Sequence, residues 1–120
     1  MADGLTIHEA AETTGWSPRM LRYLETVGLI EASRTSSGYR VFGAEQLQRL
    51  RTLKELLERH GCGLSDVAFA KRLRDDRELG RALDGWFDTP ATRPQGVAPA
   101  DWLSWEQAKH QRLLALADAA

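Results

Sequence analysis

Cysteine is nearly absent from this chain: Cys62 is the one thiol in 120 residues. No internal disulfide can form, so cross-linked small-domain scaffolds are excluded and a reducing compartment is the natural setting. Long hydrophobic runs are missing as well, and no stretch approaches the ~20 apolar residues of a membrane span. The opening Met1-Ala2-Asp3-Gly4 lacks the positive and apolar regions of an export signal. A soluble, cytoplasmic protein is expected. Net charge is also lacking: 16 basic residues oppose 17 acidic ones, giving -1. Bulk electrostatics therefore give no sign of a nucleic-acid partner. The chain also lacks the zinc-protease helix motif, the nucleophile elbow and the glycine-rich phosphate loop. Asp75 and Asp76, being adjacent, point to different faces of a helix and make no acid-base pair. No enzyme, cofactor or metal is expected. His60-Gly61-Cys62 offers one imidazole and one thiol, too few to close a metal site.

What is present is unevenly distributed. From Ser17 to Lys54 seven basic residues (Arg19, Arg22, Arg34, Arg40, Arg49, Arg51, Lys54) face three acidic ones (Glu25, Glu31, Glu45). Such a local excess suits a phosphate-facing surface, although a solvated helix face has the same composition.

Local signals divide the chain into short helices. Thr6 with Glu9 three residues on is a capping-box pattern and predicts a helix over about Ile7 to Thr13, with Ile7, Ala10 and Ala11 inward. Gly15 suits a helix end. Ser17 followed by Pro18 predicts an N-cap and first helical position. The second helix runs to about Thr26, with Met20, Leu21 and Leu24 inward and Arg19, Arg22 and Tyr23 outward. Leu29-Ile30 is expected to begin an extended return to the core. Ser36-Ser37-Gly38 reads as a turn and Tyr39 to Phe42 as a short strand, together a basic hairpin.

The clearest helix spans about Ala44 to His60, where Leu47, Leu50, Leu53, Leu56 and Leu57 fall on one face. Another starts near Ser65 and runs to about Leu73. Arg74 to Leu83 either continues it or forms a separate helix. Asp88 to Pro99 holds three of the four prolines and reads as a loop. The last helix is expected over about Asp101 to Ala117, with Trp102, Trp105, Leu113 and Leu116, joined by Ala108 or Ala117, as a discontinuous apolar face.

Three pieces in order resemble the MerR family of bacterial transcription regulators. They are Ile7-His8-Glu9-Ala10-Ala11 through Ser17-Pro18, Leu21-Arg22-Tyr23-Leu24-Glu25 through Gly28-Leu29-Ile30, and Arg34-Thr35-Ser36-Ser37-Gly38-Tyr39-Arg40-Val41-Phe42. A leucine-rich helix and Gly63-Leu64-Ser65-Asp66-Val67 follow, and the likeness extends over residues 5 to about 73. Leu24 stands where the family often has a second tyrosine, and the Gly61-Cys62-Gly63 linker looks one residue longer than usual. The cysteines that the family's metal sensors carry around the C-terminal dimer helix have no counterpart here, so Cys62 suits a linker thiol better than a ligand or sensor.

The resemblance implies a mostly α winged helix-turn-helix with a C-terminal dimerisation helix. It divides the chain into a DNA-binding domain (1–75), a helix with a Pro-rich linker (76–100) and a dimerisation helix (101–120). It implies a sequence-specific regulator that binds an inverted-repeat promoter site as a homodimer, distorts that DNA and so acts on RNA polymerase indirectly. The DNA-binding set is Ser17, Arg19, Arg22, Tyr23, Arg34, Tyr39 and Arg40. Arg19 suits a bidentate contact to guanine and Arg22 a phosphate. Ser17 is equally an N-cap, Tyr23 a phosphate donor or a packing ring, and Tyr39 is similarly divided. Arg40 either meets phosphate or holds the wing through a backbone carbonyl. Trp86, Phe87, Trp102 and Trp105 suit core or dimer contacts better than a drug pocket. A different class remains in view: an architectural or protein-interaction DNA-binding module without inducer control.

Overall fold

The computed structural model describes residues 4–119. Met1–Asp3, the first three residues of the stretch expected to carry no export signal, lie outside the described residues, as does Ala120. The chain forms α1 (Ile7–Thr14), α2 (Pro18–Thr26), β1 (Ser33–Arg34), β2 (Arg40–Val41), α3 (Ala44–Arg59), α4 (Asp66–Asp75), α5 (Arg77–Asp88) and α6 (Trp102–Ala119), the last entered through a 3₁₀ turn at Pro99–Asp101.

The ends of these helices are set by local chemistry. Thr6 Oγ1 accepts the Glu9 N–H while the Glu9 carboxylate accepts the Thr6 N–H, a reciprocal cap that satisfies two orphan donors. Those contacts hold the exposed Glu9 carboxyl below its ordinary range. Gly15 ends α1 at φ 80°. There the Lys54 ammonium donates to the Thr14 carbonyl, a cation placed at the negative end of the helix dipole. Ser17 caps α2, Ser65 caps α4, and Asp76 caps α5 by accepting the Leu79 N–H. Asp76 therefore separates α4 from α5, resolving the open choice over Arg74 to Leu83 in favour of two helices.

The core is organised around α3. Leu47, Leu50, Leu53, Leu56 and Leu57 are all buried, each contributing about 1.5–3 kcal/mol by leaving water. Met20, Leu21 and Leu24 of α2 join them, as do Ala10, Phe42, Phe69, Leu79 and Leu83. Trp16 fills the space beneath the α1–α2 turn, and its indole N–H donates to the Leu50 carbonyl at 3.2 Å. The turn is thus fixed directly to the central helix.

The hairpin is small. Ser33 pairs with Val41 and Arg34 with Arg40. Phe42 then exchanges both backbone hydrogen bonds with Leu5, tying the hairpin exit to the segment before α1. Leu29 and Ile30 do not begin an extended segment as expected. They bend tightly, with both N–H groups donating to the Leu24 carbonyl. That bend lets Ile30 turn back into the core while Gly28 takes φ 81°.

The expected apolar face of α6 is corrected most. Leu113 and Leu116 are exposed and Trp102 and Trp105 only half-buried. The face lying on α1 and α3 instead buries Glu106 and His110, one helical turn apart. Arg51 reaches Glu106 with Nε to Oε2 at 3.1 Å and Nη2 to Oε1 at 3.0 Å, a bidentate pair. His110 Nε2 lies 2.8 Å from the Leu47 carbonyl, so that nitrogen carries the proton. Burial, aided by the Arg51 and Lys54 charges and opposed by Leu47 and Glu106, pushes the His110 pKa down. The loop before α6 is also strapped to α3. Gln48 meets both the N–H and the C=O of Thr92, and Arg49 donates to the Thr89 and Phe87 carbonyls while lying over the Trp86 ring.

Candidate nucleic-acid interface

The sequence-selected residues fall on two adjoining elements, α2 and the hairpin. Ser17 Oγ accepts the Met20 N–H at 3.0 Å, so its lone pairs serve the cap first. Arg19 and Arg22 both lie on the exposed side of α2. They are three residues apart and therefore share a face. Arg22 makes no side-chain hydrogen bond or ion pair among the described residues, leaving its guanidinium to solvent. Arg19 is 79% exposed and donates Nε to Asp66 Oδ2 at 3.1 Å. That hydrogen bond and charge hold the Asp66 carboxyl below the usual range. Tyr23, half-buried, packs its ring edge-on to Phe69 at a centroid distance of 6.2 Å.

One carboxylate joins the two elements. Glu25, near the end of α2, accepts Arg34 Nη2 at 3.0 Å and Arg40 Nε at 2.7 Å, both on Oε1. Arg34 also donates Nη1 to the Gly38 carbonyl across the turn. The backbone-carbonyl role weighed for Arg40 is thus filled by Arg34, because Arg40 turns inward to Glu25. The two arginines are committed to holding the hairpin against α2. Tyr39 at the hairpin is 74% exposed and makes no side-chain hydrogen bond among the described residues.

Glu25, Asp66, Glu106 and His110 were not picked out by sequence reasoning. Glu25 had one available signal: it is an isolated acid in the helix that precedes two hairpin arginines. Cys62 is buried beside Arg72, whose guanidinium donates to the His60 and Gly61 carbonyls. Burial pushes the Cys62 thiol up, away from the reactive thiolate. Among the described residues no group of three or more His, Cys, Asp or Glu is placed to hold a metal ion, and no helix is long and apolar enough to cross a membrane.

Two helices joined by a tight turn, the second presenting arginines to solvent beside a basic hairpin, define a helix-turn-helix protein of the DNA-binding class. The profile described as "MerR HTH family regulatory protein" matches residues 5–70, more than half of the chain, and the chain belongs to that family of DNA-binding transcriptional regulators. A heavy metal-dependent transcription regulator of Rhizobium meliloti is 43% identical over 51 residues, covering 42% of this chain and 35% of the relative. An HTH-type transcriptional regulator of Pseudomonas aeruginosa is 33% identical over 79 residues, 65% of this chain and 59% of the relative. The regulator HmrR of Sinorhizobium medicae is 41% identical over 51 residues, 42% of this chain and 35% of the relative. The match spans less than two thirds of each of these relatives. No solved structure matches the chain significantly.

Proposed function

We propose that this regulator binds an inverted-repeat promoter site as a homodimer, with α2 in the major groove and the hairpin acting as a wing along the flanking backbone. The observation that carries the reading is the clamp at Glu25, which ties the hairpin to α2 through Arg34 and Arg40. A helix inserted in a groove and a hairpin beside it read DNA together only if their spacing is fixed. Arg19 reads base edges and Arg22 grips phosphate. Tyr39 meets the backbone from the hairpin, while Arg34 and Arg40 hold it and present their remaining N–H groups to phosphate. Ser17 and Tyr23 contribute mainly by positioning α2.

Residues 1–75 are then the DNA-binding unit and residues 76–100 the connection to α6. The outer side of α6, with Leu113 and Leu116 exposed three residues apart, faces the second copy. Two reading units on a two-fold axis meet half-sites about one helical turn (~34 Å) apart, and bending or untwisting between them would act on RNA polymerase indirectly. No cofactor is part of this reading, and the working compartment is the cytoplasm. Selection of binding sequences from random DNA, followed by footprinting and equilibrium sedimentation, tests it. Two protected half-sites of opposite orientation and a dimer are expected. Equal affinity for selected and random DNA would establish an architectural tether instead.

A further inference from the structure

Helix α4 is joined to α2 by two contacts in register. Arg19 and Tyr23 lie one turn apart on α2, and Asp66 and Phe69 lie one turn apart on α4. Arg19 Nε donates to Asp66 Oδ2 at 3.1 Å, and the Tyr23 ring stands edge-on to Phe69. Phe69 is buried, so this junction is anchored in the core. Asp66 is itself held. It is the first residue of α4, its Oδ1 accepts the Val67 N–H at 3.0 Å, and its side chain is only 22% exposed. An anion there is favoured by the N-terminal end of the helix dipole.

The geometry points to Asp66 as a specificity-positioning residue: through Arg19, helix α4 sets which base edge the α2 reader meets. An unpartnered arginine at the start of an exposed helix samples many rotamers, and fixing one for base reading carries an entropic penalty. With Nε engaged by Asp66, one edge of the planar guanidinium is turned toward α4. Both terminal nitrogens stay without a protein partner among the described residues. Those two nitrogens are the donor pair that reaches guanine O6 and N7 end-on. The ion pair is exposed, so its contribution to folding is small. Its role lies in aiming, which makes Asp66 part of base discrimination without contact to DNA.

This inference rests on the reading of α2 as the base-reading helix, and its test separates the two. Wild-type protein, Asp66→Ala, Asp66→Glu, Arg19→Ala and the Asp66→Ala/Arg19→Ala double variant are measured by fluorescence anisotropy. The DNAs are a site selected from random sequence and a panel of its single-base-pair variants, at one salt concentration. Helical circular dichroism and Tm report folding. Asp66→Ala is expected to reduce discrimination about fivefold at the base pair where Arg19→Ala also reduces it, and nowhere else. Asp66→Glu should restore at least part of that discrimination. In the double variant the loss should equal that of Arg19→Ala alone, since the aspartate acts through the arginine. Unchanged discrimination in Asp66→Ala, additive losses in the double variant, equal weakening on all sequences, or sharpened discrimination would each overturn the inference. Failure of the wild type to prefer any sequence would overturn the base-reading assignment of α2 and the inference built on it together.

Discussion

Replacing Glu106 by glutamine tests how α6 is held. The carboxylate is fully buried and both oxygens take charged hydrogen bonds from Arg51, whose side chain is 14% exposed. Glutamine keeps the shape but turns an amide N–H₂ toward a guanidinium, so one contact becomes donor against donor and Arg51 loses its buried counter-charge. Removing one partner from a buried pair costs about 3–5 kcal/mol. Arg51 keeps Glu55 at 3.7 Å and some access to water, which places the loss near the lower end, about 3 kcal/mol. For a domain of this size that lowers Tm by about 12 °C, at roughly 4 °C per kcal/mol. Urea and thermal unfolding at pH 7, followed by circular dichroism, measure it. The double variant Arg51→Met/Glu106→Met should recover most of the loss, because an apolar pair of similar volume removes both desolvation penalties. A loss below about 1 kcal/mol for Glu106→Gln, or a double variant as unstable as the two singles combined, would refute the reasoning.

His110 predicts a pH dependence of defined sign. Its folded pKa lies below the ordinary 6.5, so the unfolded chain binds the proton more readily; its contribution to stability is complete above 6.5 and is lost as pH falls through the depressed folded value. Urea midpoints across that window should decline for the wild type and decline less for His110→Gln. Glu25→Gln should release the hairpin, costing about 1 kcal/mol because the pair is partly solvated. Hydrogen exchange should quicken across residues 33–41 and stay slow in α3. Gly15→Ala should destabilise by about 1–2 kcal/mol in the same unfolding assay. The position has φ 80°, and a new Cβ would lie 2.8 Å from both Leu114 Cδ2 and Lys54 Nζ.

Where structure is decided locally, the sequence was legible. The Thr6–Glu9 box, the Ser17-Pro18 start and the α3 leucine stripe each act within a single helix or its cap, and all appear in place. Met20, Leu21 and Leu24 likewise sit inward with Arg19 and Arg22 outward, because helical period alone separates them. Partners distant in sequence were not legible. The Arg51–Glu106 and His110–Leu47 contacts join residues more than fifty positions apart. A buried glutamate reads as solvent-facing until its arginine is known, so apolar spacing on α6 selected Leu113 and Leu116, which are exposed. Leu29-Ile30 misled for a related reason. Gly28 at positive φ and the Leu24 carbonyl, which accepts from both Leu29 and Ile30, close a turn there instead. The arginines of α2 and the hairpin were singled out through the family resemblance, but their pairing with Glu25 and Asp66 appears only in three dimensions.

The claim that α2 and the hairpin form the DNA-reading surface is tested most directly through Arg22, the exposed guanidinium with no protein partner among the described residues. Affinity for a selected site is measured against salt concentration for the wild type and Arg22→Ala. Loss of one phosphate contact per protomer should weaken binding to all sequences and reduce the magnitude of the log–log salt slope by about one unit for each copy bound. An unchanged slope would place Arg22 away from the DNA and contradict the account.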